Sequence, residues 1–183
     1  LELGVPSEKL IVSGLCLERN LREQNENSFK SRLIRYNSDA PLTAACFSSG
    51  AEPPEHIRKI IRSARSLAEA GHRAIIFCRR DGKLEKAVKK IGGIFDYNSQ
   101  PSENKIRAIS CADREEEYRL TATLFPDFDI LIAPAHERSN WAVGLGLPIF
   151  ILHPQIGTFA PLNHDFLHRH HLAFDLDSTK AAD

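Results

Sequence analysis

Residues 129–167 constrain the fold more than any other stretch of the sequence. Two short apolar runs, 130–133 and 149–153, flank a predicted helix at 139–145 that ends at Gly146. Neither run alternates with polar residues, as a strand with one solvated face would. We therefore predict two neighbouring parallel strands, joined by the helix and buried on both faces. Ligands of such sheets bind beyond the carboxyl ends of the strands, so the loops after the two runs are the first candidates for a site.

The same alternation of apolar strands and amphipathic helices extends back to Pro41. Further strands are predicted at 42–47, 73–78, 107–111 and 172–176. The other helices are predicted at 53–70, 81–91, 113–125 and 160–170. Asp113 is the expected cap of one helix, because acidic residues that suit the amino-terminal dipole follow it. Six strands alternating with helices predict an α/β fold, a Rossmann-like doubly wound parallel sheet.

The segment before Pro41 is less regular. A short strand is predicted at 10–13, followed by a polar surface connection at 20–27 and a helix at 28–36. The apolar face of that helix, which we expect to be buried, consists of Phe29, Leu33, Ile34 and Tyr36. Residues 1–27 are predicted to form a linker with a hinge strand, and residues 28–183 the globular domain.

Charge and cysteine content argue against several classes of protein. Lysine and arginine (24) balance aspartate and glutamate (24), so no nucleic-acid partner is predicted. No apolar run reaches the ~20 residues that a membrane-spanning helix needs. The four cysteines, Cys16, Cys46, Cys78 and Cys111, are far apart in the sequence. We expect them to be reduced, buried and structural, as in a cytoplasmic protein.

Two loops at the same predicted edge of the sheet have features of an anion site. The turn at 48–51 joins a strand to the longest predicted helix, where small residues and free amides favour a phosphate. In the second loop, Gly157 and Thr158 precede another helix, and Thr158 either caps that helix or contacts an anion. Ordinary turns also favour serine, glycine and threonine, so either loop alone is compatible with a purely structural role. Two such loops at one edge are more informative than one.

Charged side chains follow the strands at the same edge. Arg79 and Arg80 come directly after a strand, where guanidinium groups either pair with a diphosphate or end a solvated strand. His136 and Glu137 occupy the loop beside the predicted ligand crevice and are the best candidates for acid–base or hydroxyl-binding roles. Glu137 has an alternative role as a first-turn carboxylate of the following helix.

Histidines are concentrated near the end of the sequence, at positions 153, 164, 168, 170 and 171. His164 and His168 are four residues apart on one face of a predicted helix, a spacing that can hold a metal ion. No carboxylate or cysteine joins them at a recognisable interval in the sequence. We therefore predict no metal site.

Several short motifs occur in an order that is known from one family of enzymes. They are Gly4–Gly14 (GVPSEKLIVSG), the turn 48–51, the strand 129–133, Leu145-Gly146-Leu147-Pro148, and a loop and helix with Pro154, Gly157, Asn163 and Leu167. In this order the chain resembles the carboxyl-terminal, donor-binding half of two-domain glycosyltransferases of the GT-B fold. The similarity is strongest to the branch that contains the peptidoglycan N-acetylglucosaminyltransferase and the diacylglycerol glycosyltransferases. Residues 1–27 then correspond to the interdomain linker and hinge strand.

The resemblance implies a domain that binds a nucleotide-diphospho-sugar, with a UDP-sugar as substrate and no cofactor. The donor's diphosphate is expected between Ser49-Gly50 and Gly157-Thr158, and Asn163 belongs to the same phosphate-binding set. Backbone amides in these loops would stabilise the leaving nucleotide as the glycosidic bond breaks.

The resemblance also implies sugar or ribose contacts from His136, Glu137 and Arg79. It implies a partner as well, an amino-terminal, acceptor-binding half that supplies the catalytic base in this family. Peripheral membrane association is expected to occur through that half. Hexosyl transfer depends on it, so no catalytic residue is assigned to the present chain.

The sequence departs from the family at the donor motif. Counted back from Pro148, the family's glycine pair, threonine and ribose-binding glutamate become Ala135-His136, Arg138 and Trp141. An indole has one donor and no acceptor, so Trp141 cannot replace a carboxylate that binds two hydroxyls, and we expect it in the core. Either Glu137 or His136 binds those hydroxyls through a shifted loop, or donor binding is altered or lost. The alternatives are a nucleotide-sugar 2-epimerase of the same fold and a non-catalytic binding or assembly module.

Overall fold

A computed structural model describes residues 6–9, 11, 16–92, 94–95 and 105–176 of the chain. Its α-helices are α1 (Arg19–Tyr36), α2 (Pro54–Glu69), α3 (Lys83–Lys90), α4 (Arg114–Leu124), α5 (Ser139–Leu145) and α6 (Ala160–Arg169). Its strands are β1 (Thr43–Phe47), β2 (Arg73–Arg79), β3 (Ile94–Phe95), β4 (Ile106–Cys111), β5 (Ile130–Ala133), β6 (Ile149–Ile151) and β7 (Ala173–Asp175). Short 3₁₀ turns lie at Ser7–Lys9 and Phe125–Asp127. Of the predicted strand at 10–13, only Ile11 lies among the described residues.

The strands form one sheet in the order β3-β4-β2-β1-β5-β6-β7, and every pairing is parallel. The six strands predicted from apolar runs are confirmed, and β3 is an additional two-residue strand at one edge. Apart from β3, the order is that of a Rossmann-type sheet. The direction of the connections reverses between β1 and β5, which are hydrogen-bonded neighbours. Such a reversal opens a crevice at the carboxyl ends of these two strands.

Both faces of the sheet are covered, as the apolar runs predict. Successive residues of β1 point to opposite faces, so Ala44 and Cys46 belong to one buried layer and Ala45 and Phe47 to the other. Helices α2 and α3 contribute side chains to the first layer, whereas α1, α4, α5 and α6 contribute to the second. The doubly wound arrangement of the α/β fold is therefore confirmed.

Helix α1 differs from its prediction in length and in orientation. It begins at Arg19, so the surface connection predicted at 20–27 is wrong. The side chains predicted to be buried are exposed, with Ile34 70% and Leu33 42% accessible. Arg32, in contrast, is completely buried. The 125–127 turn and the end of α5, which are the neighbours of α1, present backbone carbonyl groups and the ring of Phe125 to Arg32.

The guanidinium group of Arg32 holds α1 against those carbonyls. Its Nε donates to the oxygen of Phe128 at 3.0 Å, and its Nη1 donates to the oxygens of Leu145 at 3.3 Å and Gly146 at 3.0 Å. The last two carbonyls lie at the carboxyl end of α5, where helix carbonyls lack intrahelical partners and the dipole favours a cation. The charged side chain of Arg32, and not the predicted apolar face, therefore attaches this part of α1 to the rest of the domain.

The thiols are only partly as predicted. Cys46, Cys78 and Cys111 are buried and free, whereas Cys16 is exposed, so its predicted burial is wrong. Cys16 precedes α1 and does not lie in a strand, which explains its exposure. Burial raises the pKa of Cys46 and of Cys111 to about 12, so these two thiols stay protonated at neutral pH. Among the described residues, no helix combines the length and the apolar character needed to cross a membrane.

Candidate functional site

A cavity of about 360 Å³ lies at the carboxyl ends of β1, β2, β4 and β5, beside the point where the connections reverse. Its volume is within the range of about 300–1,000 Å³ that is usual for small-molecule sites. Five of the predicted site residues line it, namely Ser49, Gly50, Arg79, His136 and Glu137. They come from the loops after β1 and β5 and from the last residue of β2, because parallel strands end at one common edge. The cavity is the candidate site.

The β1–α2 loop provides two hydroxyl groups. Ser48 and Ser49 line the cavity, and each Oγ atom is buried with no hydrogen-bond partner among the described residues. Buried hydroxyls are normally paired, and an unpaired one costs about 1–3 kcal/mol. The backbone N–H of Glu52 donates to the oxygen of Ser49 at 2.9 Å and closes the turn. A Cβ atom on Gly50 would meet no heavy atom within 4 Å, so this side of the loop is open.

The helix that follows the loop is a weaker anion site than the sequence suggests. Helix α2 begins at Pro54, and Pro53 is its N-cap. Because proline has no N–H, two of the backbone donors expected at this helix start are missing. Attraction of an anion to this loop therefore depends on the serine hydroxyls and on neighbouring cations more than on helix amides.

Among the cavity's cations, Arg79 has no ion-pair partner among the described residues, whereas Arg114 donates to Glu137 at 2.9 Å. Arg138 pairs with Glu117. Arg80 lies outside the lining and is 3.5 Å from Glu116. The two predicted arginines thus differ, because Arg79 lines the cavity without an ion-pair partner among the described residues, whereas Arg80 lies outside the lining beside Glu116.

Glu137 is an ionised acceptor at the mouth of the cavity. Burial raises the pKa of its carboxyl group, but hydrogen bonds from its own backbone N–H and from Arg114 outweigh that effect and leave the pKa below its ordinary value. The group is therefore suited to accept hydrogen bonds from hydroxyls and poorly suited to donate a proton at neutral pH.

His136 connects the cavity to the second predicted loop. Its side chain lines the cavity, and its Nε2 lies 2.7 Å from the carbonyl oxygen of Ile156. The side-chain amide of Asn163 donates to the oxygen of Ala135 at 3.0 Å, so it fixes the loop after β5. The loop after β5 is thereby held to the β6–α6 loop by His136 and to helix α6 by Asn163.

The remaining predicted residues of the second loop lie elsewhere. Gly157, Thr158 and Asn163 do not line the cavity. Thr158 does not cap α6, because the helix begins at Ala160 and its N-cap is Phe159, without a side-chain capping bond. The cavity is therefore lined by the predicted loop at 48–51 and by the loop after β5. The predicted loop with Gly157 and Thr158 is outside the lining and contacts the cavity residue His136 through the carbonyl oxygen of Ile156.

Trp141 is a core residue, as predicted. It is 2% exposed, packs edge-on against Phe47 and Phe125, and donates from Nε1 to Glu18 at 3.2 Å. It does not line the cavity, so the position where the family has a glutamate offers nothing to a ligand there.

Sequence reasoning missed the charged floor of the cavity. The guanidinium group of Arg138 is 5% exposed and lies over the ring of Phe47, 3.7 Å from its centroid. Glu117, which pairs with it, and Asp113 come from α4. The acidic first turn of α4 follows β4, whose carboxyl end lies at the same edge of the sheet as the cavity. That position in the sequence could have predicted carboxylates in the cavity lining.

A second cluster of titratable groups lies near the edge of the sheet. Three imidazole Nε2 atoms surround one oxygen, Oδ1 of Asp175, at 2.6 Å (His153), 2.9 Å (His164) and 3.3 Å (His168). No carboxylate stands at a recognisable sequence interval from these histidines, yet the fold brings Asp175 to them. Asp175 escaped notice because pairing of β6 with β7, and not a short sequence interval, brings it to them.

Neither the protein-family models nor the curated proteins that were compared with this sequence give a match. The glycosyltransferase resemblance therefore stays a prediction drawn from the motifs.

Proposed function

We propose that this chain is the donor-binding domain of a GT-B-type glycosyltransferase and that its cavity binds the diphosphate of a UDP-sugar. The observation that carries the proposal is the pair of unpartnered serine hydroxyls, Ser48 and Ser49, in one cavity with the unpaired Arg79. Hydroxyl and guanidinium groups are the donors that phosphate oxygens require. The location, at the reversal point of a Rossmann-type sheet, is where such folds bind nucleotides.

The proposed roles divide between the two sides of the cavity. On the β1 and β2 side, rotation of a serine side chain would bring its Oγ to a phosphate oxygen, and Arg79 would neutralise part of the diphosphate charge. On the β5 side, the ionised Glu137 would accept hydrogen bonds from ribose or sugar hydroxyls. In transfer to an acceptor, these groups would stabilise the nucleotide as it leaves.

The reduced, buried thiols of Cys46 and Cys78 support a cytoplasmic location for this activity. The proposal includes an acceptor-binding partner half, since the described residues offer a donor site but no assigned catalytic base.

The test is titration of the chain with UDP and a panel of nucleotide-diphosphate sugars, followed by amide chemical shifts. We expect shifts at Ser49, Gly50 and Glu137. Arg79→Gln should weaken UDP binding by about 10- to 100-fold, the equivalent of about 1.5–3 kcal/mol for hydrogen bonds to a charged group. Arg80→Gln is the matched control, because Arg80 is adjacent in the sequence but outside the cavity lining.

Gly50→Leu provides a second variant. Open space surrounds Gly50, so a leucine there should fold normally and obstruct only a ligand in the cavity. Unchanged affinity in both Arg79→Gln and Gly50→Leu would overturn the proposal. So would the absence of shifts for any nucleotide up to millimolar concentration.

The absence of nucleotide binding would favour the second candidate, a non-catalytic binding or assembly module. The observation in its favour is the acidic lining of the cavity, which includes Glu52, Asp113, Glu117 and Glu137. Two of the three lining arginines are already paired with carboxylates of this set. A basic peptide would match the remaining acidic surface better than a diphosphate does.

A further inference from the structure

The histidine–aspartate cluster is formed by a single strand–helix–strand unit. His153 follows β6, His164 and His168 lie one turn apart on α6, and Asp175 ends β7. The register that pairs Ile151 with Asp175 places the carboxylate beside the end of β6. The cluster lies outside the cavity lining, so it does not belong to the candidate donor site.

The hydrogen-bonding capacity of the cluster is not balanced. Oδ1 of Asp175 accepts hydrogen bonds from His153 and His164, which occupy its two lone pairs. A third nitrogen, Nε2 of His168, lies 3.3 Å away from the same oxygen, is buried, and makes no hydrogen bond with any residue that the structure describes. Hydrogen bonds alone therefore cannot pair all three imidazole nitrogens with the carboxylate oxygen. A single metal cation can, because it accepts a lone pair from each nitrogen and from the oxygen.

We propose that His153, His164, His168 and Asp175 bind a zinc ion. Imidazole nitrogens and a carboxylate oxygen are ligands that zinc prefers, and four protein ligands fill a tetrahedral site. A site with no open position is structural rather than catalytic. This inference is independent of the proposed nucleotide-binding function.

Three of the four ligand atoms are already close together, since those of His153, His164 and Asp175 all lie within 4.8 Å of one another. His168 is outside this set; its Nε2 lies 3.3 Å from Oδ1 of Asp175 and would have to move with its side chain to complete the site. Zinc–nitrogen and zinc–oxygen bonds of about 2.0–2.2 Å place tetrahedral ligand atoms roughly 3.3–3.5 Å apart. Modest side-chain rotations therefore suffice to admit the ion. Nδ1 of His164 faces the carboxylate of Asp165 at 3.4 Å, the type of outer contact that orients a metal-binding imidazole.

A zinc ion here would fix the start of the β6–α6 loop. His153 immediately precedes Pro154, whose carbonyl oxygen lies 3.0 Å from Nε2 of His56. Two residues further on, the carbonyl oxygen of Ile156 contacts His136. The ion would thus join α6 and the outer strand β7 to a loop that already contacts α2 and the cavity.

The experiment uses the full 183-residue chain, freed of any histidine tag and treated with a chelator. Zn²⁺ is added in a calorimetric titration, and Co²⁺ is added in parallel so that its visible absorption reports the coordination geometry. We expect one equivalent to bind, the intense bands of four-coordinate Co²⁺, and a rise in the thermal denaturation midpoint with Zn²⁺.

His164→Gln and Asp175→Asn should each weaken Zn²⁺ binding by more than ~10-fold. Loss of an outer contact to a metal ligand already lowers metal affinity ~10- to 100-fold, and loss of the ligand itself should lower it further. His170→Gln is the matched control, since His170 follows α6 and contacts Phe166 instead of the cluster. Circular dichroism of each metal-free variant checks that it folds. The proposal is overturned if Zn²⁺ does not bind at submillimolar concentration, or if His170→Gln weakens binding as much as the two ligand variants do.

Discussion

Replacement of Arg32 by methionine tests how α1 is attached to the domain. Methionine keeps the length and the apolar stem of the side chain but removes all of its donors. Three carbonyl oxygens would then lose a donor, those of Phe128 and Leu145 in a buried environment and that of Gly146 in a partly buried one. The perturbation therefore removes the contribution of Arg32 to the polar attachment of α1, leaves the ion pair of Arg35 with Asp129 in place, and keeps the packing volume nearly unchanged.

The expected magnitude follows from these contacts. At about 1–3 kcal/mol for each of the two buried carbonyls left without a donor, the loss is roughly 2–6 kcal/mol. Burial of the guanidinium group itself costs several kcal/mol, and that cost disappears with the charge. We expect Arg32→Met to lower the free energy of unfolding by about 2–4 kcal/mol, a large part of the stability of an ordinary domain.

The assay is urea denaturation followed by far-ultraviolet circular dichroism, with midpoint and slope measured for each variant. Ile34→Ala is the control, because Ile34 lies on the same helix and is 70% exposed. It should change stability by less than about 0.5 kcal/mol. If Ile34→Ala were the more destabilising change, α1 would be buried through its apolar face, and the arrangement of Arg32 described above would be refuted.

Two further predictions concern His56 and Asp113. Burial lowers the pKa of the His56 imidazole below 6.5 in the folded protein. The neutral imidazole therefore contributes its full stabilisation above pH 6.5. That stabilisation is lost as the pH falls through the lower pKa of the folded state. His56→Gln should therefore reduce the loss of stability between about pH 7.5 and about pH 5, measured as urea midpoints in the presence of a chelator; an unchanged pH dependence would contradict this. Asp113 accepts a hydrogen bond from the backbone N–H of Glu116 at 2.8 Å, so Asp113→Ala should cost about 1 kcal/mol, whereas Asp113→Asn should cost much less. Equal losses in these two variants would show that the negative charge, and not the cap, is what matters.

The sheet was predictable because its determinants are local. Runs such as Ile130–Ala133 are apolar at every position, which is the pattern of a strand covered on both faces. Asp113 was identifiable as a cap for the same reason, since its partner is three residues away. Where a few neighbouring residues decide the structure, the sequence was sufficient.

The features that the sequence did not predict depend on contacts between distant residues. The burial of Arg32 depends on carbonyl groups about a hundred residues further along the chain, and backbone groups carry no sequence signal. Asp175 meets His153 only through the pairing of β6 with β7. The candidate site was predictable in part, because strand ends share an edge. The separation of Thr158 from the cavity depends on where α6 begins.

The lengths of the outermost strands affect how the protein behaves at high concentration. Within the part of the chain that the structure describes, the sheet ends in β3 (Ile94–Phe95) and in β7, which has three residues. A long exposed edge strand offers a ladder of unpaired backbone groups to a second chain, and very short outer strands offer few of them. Although Phe174 of β7 is 62% exposed, the ladder beside it is too short to template a continuous intermolecular sheet. The β7 edge is therefore a poor template for edge-to-edge aggregation.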